Sequence, residues 1–448
     1  MKLHTFKIGG IHPAENKIAA GKPIENMPLP AEVVLPVAQH IGAPAKPVVK
    51  KGDKVKRGDM VAEAGGFVSA PVHSPISGTV VKIDVCRTPQ GLPVEAIYIK
   101  SDEADREADA KALEQRETPA RSEAEIAALD GKAIIDIIKN AGIVGLGGAT
   151  FPCHVKLSPP PGSKAEVVII NAAECEPCLS CDDMLMRENP REIVKGVSLL
   201  MKAAGVSRGV IAIENNKPEA IEALTQAAST VPGIEVMPMK VKYPQGGEKQ
   251  LIEAVIGKEV PSGGLPIATG AIVQNVATAY AVYRAVVLSE PLMDRVLTLH
   301  DGNTGRNLRV PFGTILATLT EGLEEPEKII IGGPMMGRTA STLQTPMIKG
   351  TSGILLDKRY AHRRPVENCI RCGRCSDACP MGLEPFLLAT LSRLKEWDEV
   401  EANKVANCIE CGSCSYACPA SRPVVDFVRL GKQKVMAAMR ARAAAKKA

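Results

Sequence analysis

Eight of the chain's thirteen cysteines fall between Cys369 and Cys418, in two copies of one pattern. The first copy is Cys369, Cys372, Cys375 and Cys379, closed by Pro380. The second is Cys408, Cys411, Cys414 and Cys418, closed by Pro419. Two intervening residues, twice over, turn the chain so that three thiolates can surround one compact inorganic core. The C-x2-C-x2-C-x3-C-P run is the spacing of paired [4Fe–4S] clusters, in which the fourth cysteine serves the other cluster. One cluster is therefore assigned Cys369, Cys372, Cys375 and Cys418, and the second Cys408, Cys411, Cys414 and Cys379. Zinc is the competing metal, but two four-cysteine runs each closed by proline are hard to reach by accident. The crossed fourth ligands hold the clusters close, which suits electron hopping.

A second set of residues suits nucleotide chemistry. Gly145-Leu146-Gly147-Gly148-Ala149-Thr150 is a weak dinucleotide signal by itself. A helical pattern precedes it, Phe151-Pro152 follows it, and Thr150 stands where a third glycine belongs. Its company changes its weight. Asn171 to Pro177, including Glu174 and Glu176, follows an apolar strand. Tyr243 to Glu248, with Gly246 and Gly247, leads from a strand into a helix, and Val273-Gln274-Asn275-Val276 comes after. Glycines let backbone amides approach a ring or phosphate closely. A loop that ends at a helix start offers free amides to a phosphate, and ligands gather at strand carboxyl ends.

In this order the segments resemble the flavin site of the NADH-oxidising flavoprotein subunit of respiratory NADH dehydrogenase. The resemblance implies non-covalent FMN held by Gly145, Gly147, Lys156, Asn171, Glu174, Gly246, Gly247, Gln274 and Asn275. It also implies NAD(H) facing Phe151, Glu176, Tyr243 and Glu248, with Phe151 stacking and carboxylates accepting from ribose hydroxyls. Core packing is the alternative for Phe151, and a solvated or capping role the alternative for the two acids. The sequence departs from that family at Ala173 and Gly247, where acids usually stand. Hydride transfer to flavin needs no general acid or base, so no catalytic residue is assigned. Cys175, Cys178 and Cys181 repeat the x2 spacing, with Cys153 a candidate fourth ligand. No Cys-Pro follows them, and free thiols are expected.

These residues need elements to hold them. Residues 1–30, rich in Pro and Gly, are expected to wrap a neighbouring domain. From 31 to 100, short β-branched runs alternate with Gly52-Asp53, Gly58-Asp59 and Ser77-Gly78 turns, which predicts a small all-β domain. Its Lys51-to-Asp59 and Ser74-to-Val80 segments resemble the biotinyl/lipoyl hammerhead. The turn matching that family's carrier lysine is Gly65-Gly66-Phe67 and has no lysine, so a scaffold is expected. Residues 101–130 hold ten acids and four bases, an acidic linker running into a helix, with Ser122 and Glu125 as a capping box. From 131 to 290, apolar strands alternate with helices, which predicts a parallel sheet covered by helices. Residues 291–350 return to short strands and Gly turns, a β-grasp-like (SLBB) module. Residues 351–430 carry the cysteines, and the helical Phe386–Trp397 stretch makes this part resemble the α-helical ferredoxins of respiratory enzymes. The fold class is thus multidomain α/β plus β.

With the opening Gly9-Gly10-Ile11-His12-Pro13 and Asn16-Lys17, the whole resembles the RnfC family of the Rnf electron-transport complexes. The resemblance spans the chain to about residue 430. It implies a peripheral component on the cytoplasmic face of the inner membrane. Its partners would be the membrane components and a ferredoxin-like Fe–S protein of the complex. Electrons would pass between NAD(H) and ferredoxin-side carriers through FMN and the two clusters, coupled to Na+ or H+ transport. A flavin- and cluster-containing cobalamin reductase of propanediol metabolism shares this architecture, and an electron-carrier module without nucleotide binding is a third reading.

Charge and composition narrow the field. There are 55 basic and 50 acidic residues. The stretch Gly431–Ala448 carries six bases and no acid, and removing it takes the +5 net charge to about −1. A nearly neutral body excludes a nucleic-acid-coating role, and 3% aromatics argues against base stacking. A basic tail, 431–448, is left as a solvated end or a contact for anionic lipid or an acidic partner. The longest uncharged run, Val260 to Tyr283, is broken by Pro261, Gly263, Gly264, Pro266 and Gly270, so no membrane span is expected. No secretory signal follows Met1, and clustered cysteines without export suggest metal ligation in a reducing compartment.

Overall fold

The computed structural model describes residues 3–89, 91–114, 119–357 and 364–445. Two small antiparallel sheets face each other near the N-terminus. One runs Glu32–Pro36, Pro93–Lys100, Gly78–Arg87, Lys54–Val55, and the other Lys46–Pro47, Met60–Glu63, Val72–His73. Alternating residues Val33, Leu35, Val61, Val80, Ile97 and Ile99 turn inward and are almost fully buried, the period-2 signature of a half-buried strand. This is the expected barrel sandwich.

The acidic stretch forms the helix Glu103–Glu114. The capping box at Ser122 and Glu125 is present, but it starts only the six-residue helix Glu123–Ala128. The apolar face at Ile134 and Ile138 belongs to a separate helix, Gly131–Asn140, capped by Asp130.

The α/β domain holds four parallel strands in the order Ile234–Met239, Gly209–Glu214, Val167–Ala172, Ala271–Asn275. In chain order that is third, second, first, fourth. The direction of winding reverses between Val167–Ala172 and Ala271–Asn275, and a crevice opens outside the strand carboxyl ends at such a point. Helices Pro190–Ala204 and Val276–Val287 pack on one face. Helix Glu248–Ile256 covers the other through Leu251, Ile252 and Val255. The strands read as continuous apolar runs because both faces are buried.

The next sheet is mixed and six-stranded. It takes Ile24–Asn26 from the N-terminal segment as an edge and Gly353–Asp357 as an inner strand parallel to Asp294–His300. The module therefore extends past the expected limit of 350 and borrows a strand from 1–30. A single apolar core runs through the barrel, the α/β domain and this sheet.

The cysteine-rich part has its own core of Leu388, Val400, Val405, Val424, Val428 and Val435. The expected Phe386–Trp397 helix is broken into Pro385–Leu394 and Trp397–Ala402. Val424–Ala445 forms one long helix. The basic tail is therefore not a solvated coil over its described part. Gly431 and Val435 are buried in that helix, and Lys432 donates to the Cys408 carbonyl (2.7 Å). Residues 446–448 lie outside the described residues. No described helix is long and apolar enough to cross a membrane.

Candidate functional site

Asn171 and Asn275 lie side by side in register at the carboxyl ends of the two strands flanking the reversal. Loops from four segments converge on them. Asn171 Nδ2 donates to the Gly246 carbonyl (2.8 Å), and Asn171 Oδ1 accepts from the Ala173 amide (3.3 Å). Lys156 Nζ donates to Glu248 Oε1 (2.6 Å) and to the Val273 carbonyl (3.0 Å). Asn275 Oδ1 accepts from the Ala277 amide and caps its helix, while Nδ2 donates to Asp182 Oδ2 (2.8 Å). Glu174, at a positive φ of 46°, accepts from the amides of Asp182 (2.7 Å) and Asp183 (3.2 Å). Burial raises both Glu174 and Asp182 above the usual carboxylate range, opposed by nearby Lys17 and Arg295 respectively.

The glycine turn is pinned beside them. The Gly145 amide donates to the Phe151 carbonyl (2.9 Å), and Leu146 N donates to Thr278 Oγ1 (2.9 Å). A Cβ on Gly147 would stand 3.4 Å from Asn275 Cβ, and one on Gly246 would stand 3.1 Å from Cys175 Sγ. Gly247 is the residue before the helix Glu248–Ile256. Phe151 is half-buried and remains partly open for stacking.

The donor set suits a flavin phosphate and ring. Gln274 is 2% exposed, yet neither side-chain amide atom has a partner, and buried Gln245 is the same. Buried amides are almost always satisfied, so these orphans call for a polar ligand or water at the head of the sheet.

Two residues expected at the nicotinamide are engaged elsewhere. Glu176 accepts from the amides of Met335 (3.0 Å) and Met336 (2.9 Å) in the mixed-sheet module. Burial pushes it up to about 7, although those two amides oppose the rise. Tyr243 is 2% exposed, and its hydroxyl donates to the Cys411 carbonyl (2.7 Å).

The second ligand set comes together in the structure. Cys379, Cys408, Cys411 and Cys414 line one cavity with Leu383, Leu388 and Val428. Burial raises the thiols of Cys379, Cys408 and Cys414, with Cys411 adding to each. Cys408 reaches about 11, so metal binding must displace its proton. The Leu383 and Glu410 amides donate to Cys379 Sγ (3.4 Å) and Cys408 Sγ (3.3 Å). Four thiols in an apolar pocket with amide donors fit a cubane.

The other set is looser. Cys369 and Cys372 are exposed, and Cys375 and Cys418 half-buried. The Glu367 amide donates to the Ala420 carbonyl (3.0 Å) and brings the first loop toward Cys418. Cys175 and Cys181 face different neighbours. Cys175 Sγ accepts from the Gly246 amide (3.3 Å), while Cys181 Sγ donates to the Ser352 carbonyl (3.3 Å). None of the five remaining cysteines, Cys86, Cys153, Cys175, Cys178 and Cys181, is in a disulfide.

Sequence reasoning gave no role to Asp182 and used Lys17 only as part of a family-like opening, not as a contact to the Glu174 loop. Lys17 Nζ donates to the carbonyls of Glu174 (2.9 Å), Glu176 (3.2 Å) and Leu179. Lys17 is one of four lysines in residues 1–30, so composition did not single it out.

Comparison with known proteins places the same parts of the chain in known domain families. Residues 138–284 match the Nuo51 FMN-binding domain, 4–104 the RnfC barrel sandwich hybrid domain, and 362–419 a 4Fe-4S dicluster domain. The C component of the Na(+)-translocating ferredoxin:NAD(+) oxidoreductase complex of Acetobacterium woodii is 42% identical, over 98% of this chain and 99% of that one. Its counterpart in the proton-translocating ferredoxin:NAD(+) oxidoreductase complex of Clostridium ljungdahlii is 44% identical, over 97% and 95%. The chain belongs to the RnfC family of ion-translocating ferredoxin:NAD+ oxidoreductase complexes. An NAD+-reducing [NiFe]-hydrogenase chain in the air-oxidized state shares the fold, at a TM-score of 0.50 and 19% identity over 75% of this chain and 74% of that one.

Proposed function

We propose that the chain is the peripheral electron-transfer component of such a complex, exchanging electrons between NAD(H) and ferredoxin-side Fe–S carriers. The observation that carries this is one seam where the two sites meet. Ile11, Tyr243, Ala378 and Cys411 form a buried cluster with Cys175 packed against it, between the flavin-site loops and the second cysteine set. The chain's partners are the other components of the complex, among them a ferredoxin-like Fe–S protein and the membrane proteins that move Na+ or H+. It sits on the cytoplasmic side, where NADH is found.

FMN, when bound, supplies the interchange between hydride and single-electron transfer. The protein's residues hold and orient. Lys156, fixed by Glu248 and the Val273 carbonyl, brings positive charge to the flavin site. The Gly145–Phe151 turn offers backbone amides, and the Asn171–Gly246 hydrogen bond fixes the loop above the sheet. Half-buried Phe151 gives an apolar face for a nicotinamide nucleotide. Cys379, Cys408, Cys411 and Cys414 would hold one cluster, and Leu383, Leu388 and Val428 line the same pocket and keep water from it.

Anaerobic full-length protein, reconstituted with FMN, iron and sulfide, is titrated with NADH. Bleaching of the flavin band followed by loss of cluster absorbance is expected. An unbleached flavin overturns the NADH reading, and efficient reduction of a corrinoid without a partner transfers the chain to cobalamin reduction.

A further inference from the structure

Five hydrogen bonds cross from the flavin domain and the N-terminal segment to the cysteine-rich part, and all end beside one ligand set, two of them being Gln250 Nε2 to Met381 Sδ (3.2 Å) and Ser262 Oγ to Asn407 Oδ1 (2.8 Å) next to Cys408. Tyr243 Oη donates to the Cys411 carbonyl (2.7 Å). Gln250 Nε2, from the helix that starts at Glu248, donates to the Pro380 carbonyl (3.2 Å). The Gly10 amide donates to the Ala378 carbonyl (3.1 Å). Ala378 and Pro380 flank Cys379. Gly9 has a φ of 64°, and a Cβ there would lie 2.4 Å from the Cys379 carbonyl oxygen, so this N-terminal segment approaches as closely as backbone allows. Tyr243 is held on its other side, because its backbone bridges to Ile11. Its successor loop carries Gly246, whose amide donates to Cys175 Sγ. Among the described residues no hydrogen bond runs from the flavin domain to the Cys369–Cys372 loop, and both of those cysteines are exposed.

We infer that Tyr243 is a positioning residue. Its hydroxyl locks the Cys411 loop onto the flavin-side loops and makes the Cys379, Cys408, Cys411 and Cys414 set the inner cluster, the one that exchanges electrons with the flavin site. The outer set, with Cys369 and Cys372, is then left at the surface for a partner. The inference rests on the ligand sets and flavin site proposed above. The step is outer-sphere. One electron at a time leaves the reduced flavin site and is taken up by the inner cluster, no bond is made or broken, and Tyr243 is neither oxidised nor deprotonated.

Two physical effects follow from the contact. Electron transfer slows steeply with distance, so a strut across the seam sets the rate. A hydrogen-bond donor aimed at a ligand peptide also turns the positive end of its dipole toward the cluster, which favours the reduced state and raises the potential. Tyr243→Phe keeps the buried ring and removes only the donor.

The test is a redox titration followed by electron paramagnetic resonance on full-length, reconstituted protein. In Tyr243→Phe, the potential of one cluster should move negative while the other stays. Iron and FMN contents and the rate of flavin bleaching by NADH should be unchanged, and cluster reduction by NADH should slow several-fold. The shifted signal should be the one that survives in a Cys372→Ser background. If neither potential moves, or both move alike, Tyr243 has no such role. Should Tyr243→Phe lose iron, the same titration on Gln250→Met decides by the same outcomes. A wild-type protein without two distinguishable clusters would instead defeat the ligand assignment.

Discussion

Lys349 shows how much of this molecule is set by single buried charges. It is fully buried, and its Nζ donates to the carbonyls of Pro71 (2.8 Å) and Gly142 (2.7 Å). It thereby ties the barrel to the α/β domain with dipoles instead of a carboxylate. Burial drops it from the ordinary 10.5 to about 7. His73 beside it is pushed down to about 3, first by burial and then by Lys349, and His40 is lowered for the same two reasons. Both imidazoles are therefore neutral above pH 7. Between about pH 7 and 10.5 the unfolded chain holds a proton on this lysine that the folded chain does not. Folding stability contributed here must rise with pH across that window and be flat below it. The slope is at most about 1.4 kcal/mol per pH unit. Lys349→Met should lose this rise, so the difference in melting temperature between wild type and variant should change steadily from pH 7 to 9. A difference that is constant with pH means the lysine is charged when folded.

Elements place the site, and helix contact places the elements. Gly196 lies inside the helix Pro190–Ala204 where it crosses Val276–Val287, and an added Cβ would stand 1.9 Å from the Ala279 carbonyl oxygen. Only glycine lets the two helices meet that closely. The second helix begins at the Asn275 cap, so its position sets where Asn275 stands in the site. Gly196→Ala should destabilise the domain by about 1–3 kcal/mol in a denaturant titration and weaken FMN binding, although it lies away from the site. Unchanged stability would show that the helices can part without strain. The helices and strands of this domain were legible because buried parallel strands read as unbroken apolar runs between helical periods. Strand order was not, since pairing across a crossover leaves no local mark. The edge and inner strands at Ile24–Asn26 and Gly353–Asp357 were missed for the same reason, their partners being remote in sequence. At 431–445 the density of lysine and arginine obscured Gly431 and Val435, which pack as helix.

At the scale of the whole molecule, residues 3–26 act as a strap across every part except the barrel's own sheets. His4 bridges to Met239, Ile11 to Tyr243, and Ile24–Asn26 joins the mixed sheet. The cysteine runs disclosed their chemistry by spacing, because a cubane dictates local geometry. Tyr243 and Glu176 were placed at the nucleotide by resemblance, and their turn inward could not be read. It depends on the strap and on the Met335 turn, both distant in the chain. Lys17 is the strap's central anchor. Its Nζ meets three loop carbonyls between Glu174 and Leu179, and it lies 3.9 Å from Glu174 Oε2. The same loop carries Cys175 to the seam and Glu174 to the cap of the helix Cys181–Glu188. Lys17→Met keeps the side-chain length but leaves those carbonyls unpaired, and each buried unsatisfied group costs about 1–3 kcal/mol before the backbone relaxes. Stability should fall by roughly 2–3 kcal/mol, and amide exchange should speed up in two separate places, the 174–184 loop and the 8–12 strap. FMN affinity should fall with them, while iron bound by the cysteine-rich part, which has its own core, should be retained. Faster exchange confined to the strap would mean that the loop holds itself and that the lysine only rides on it.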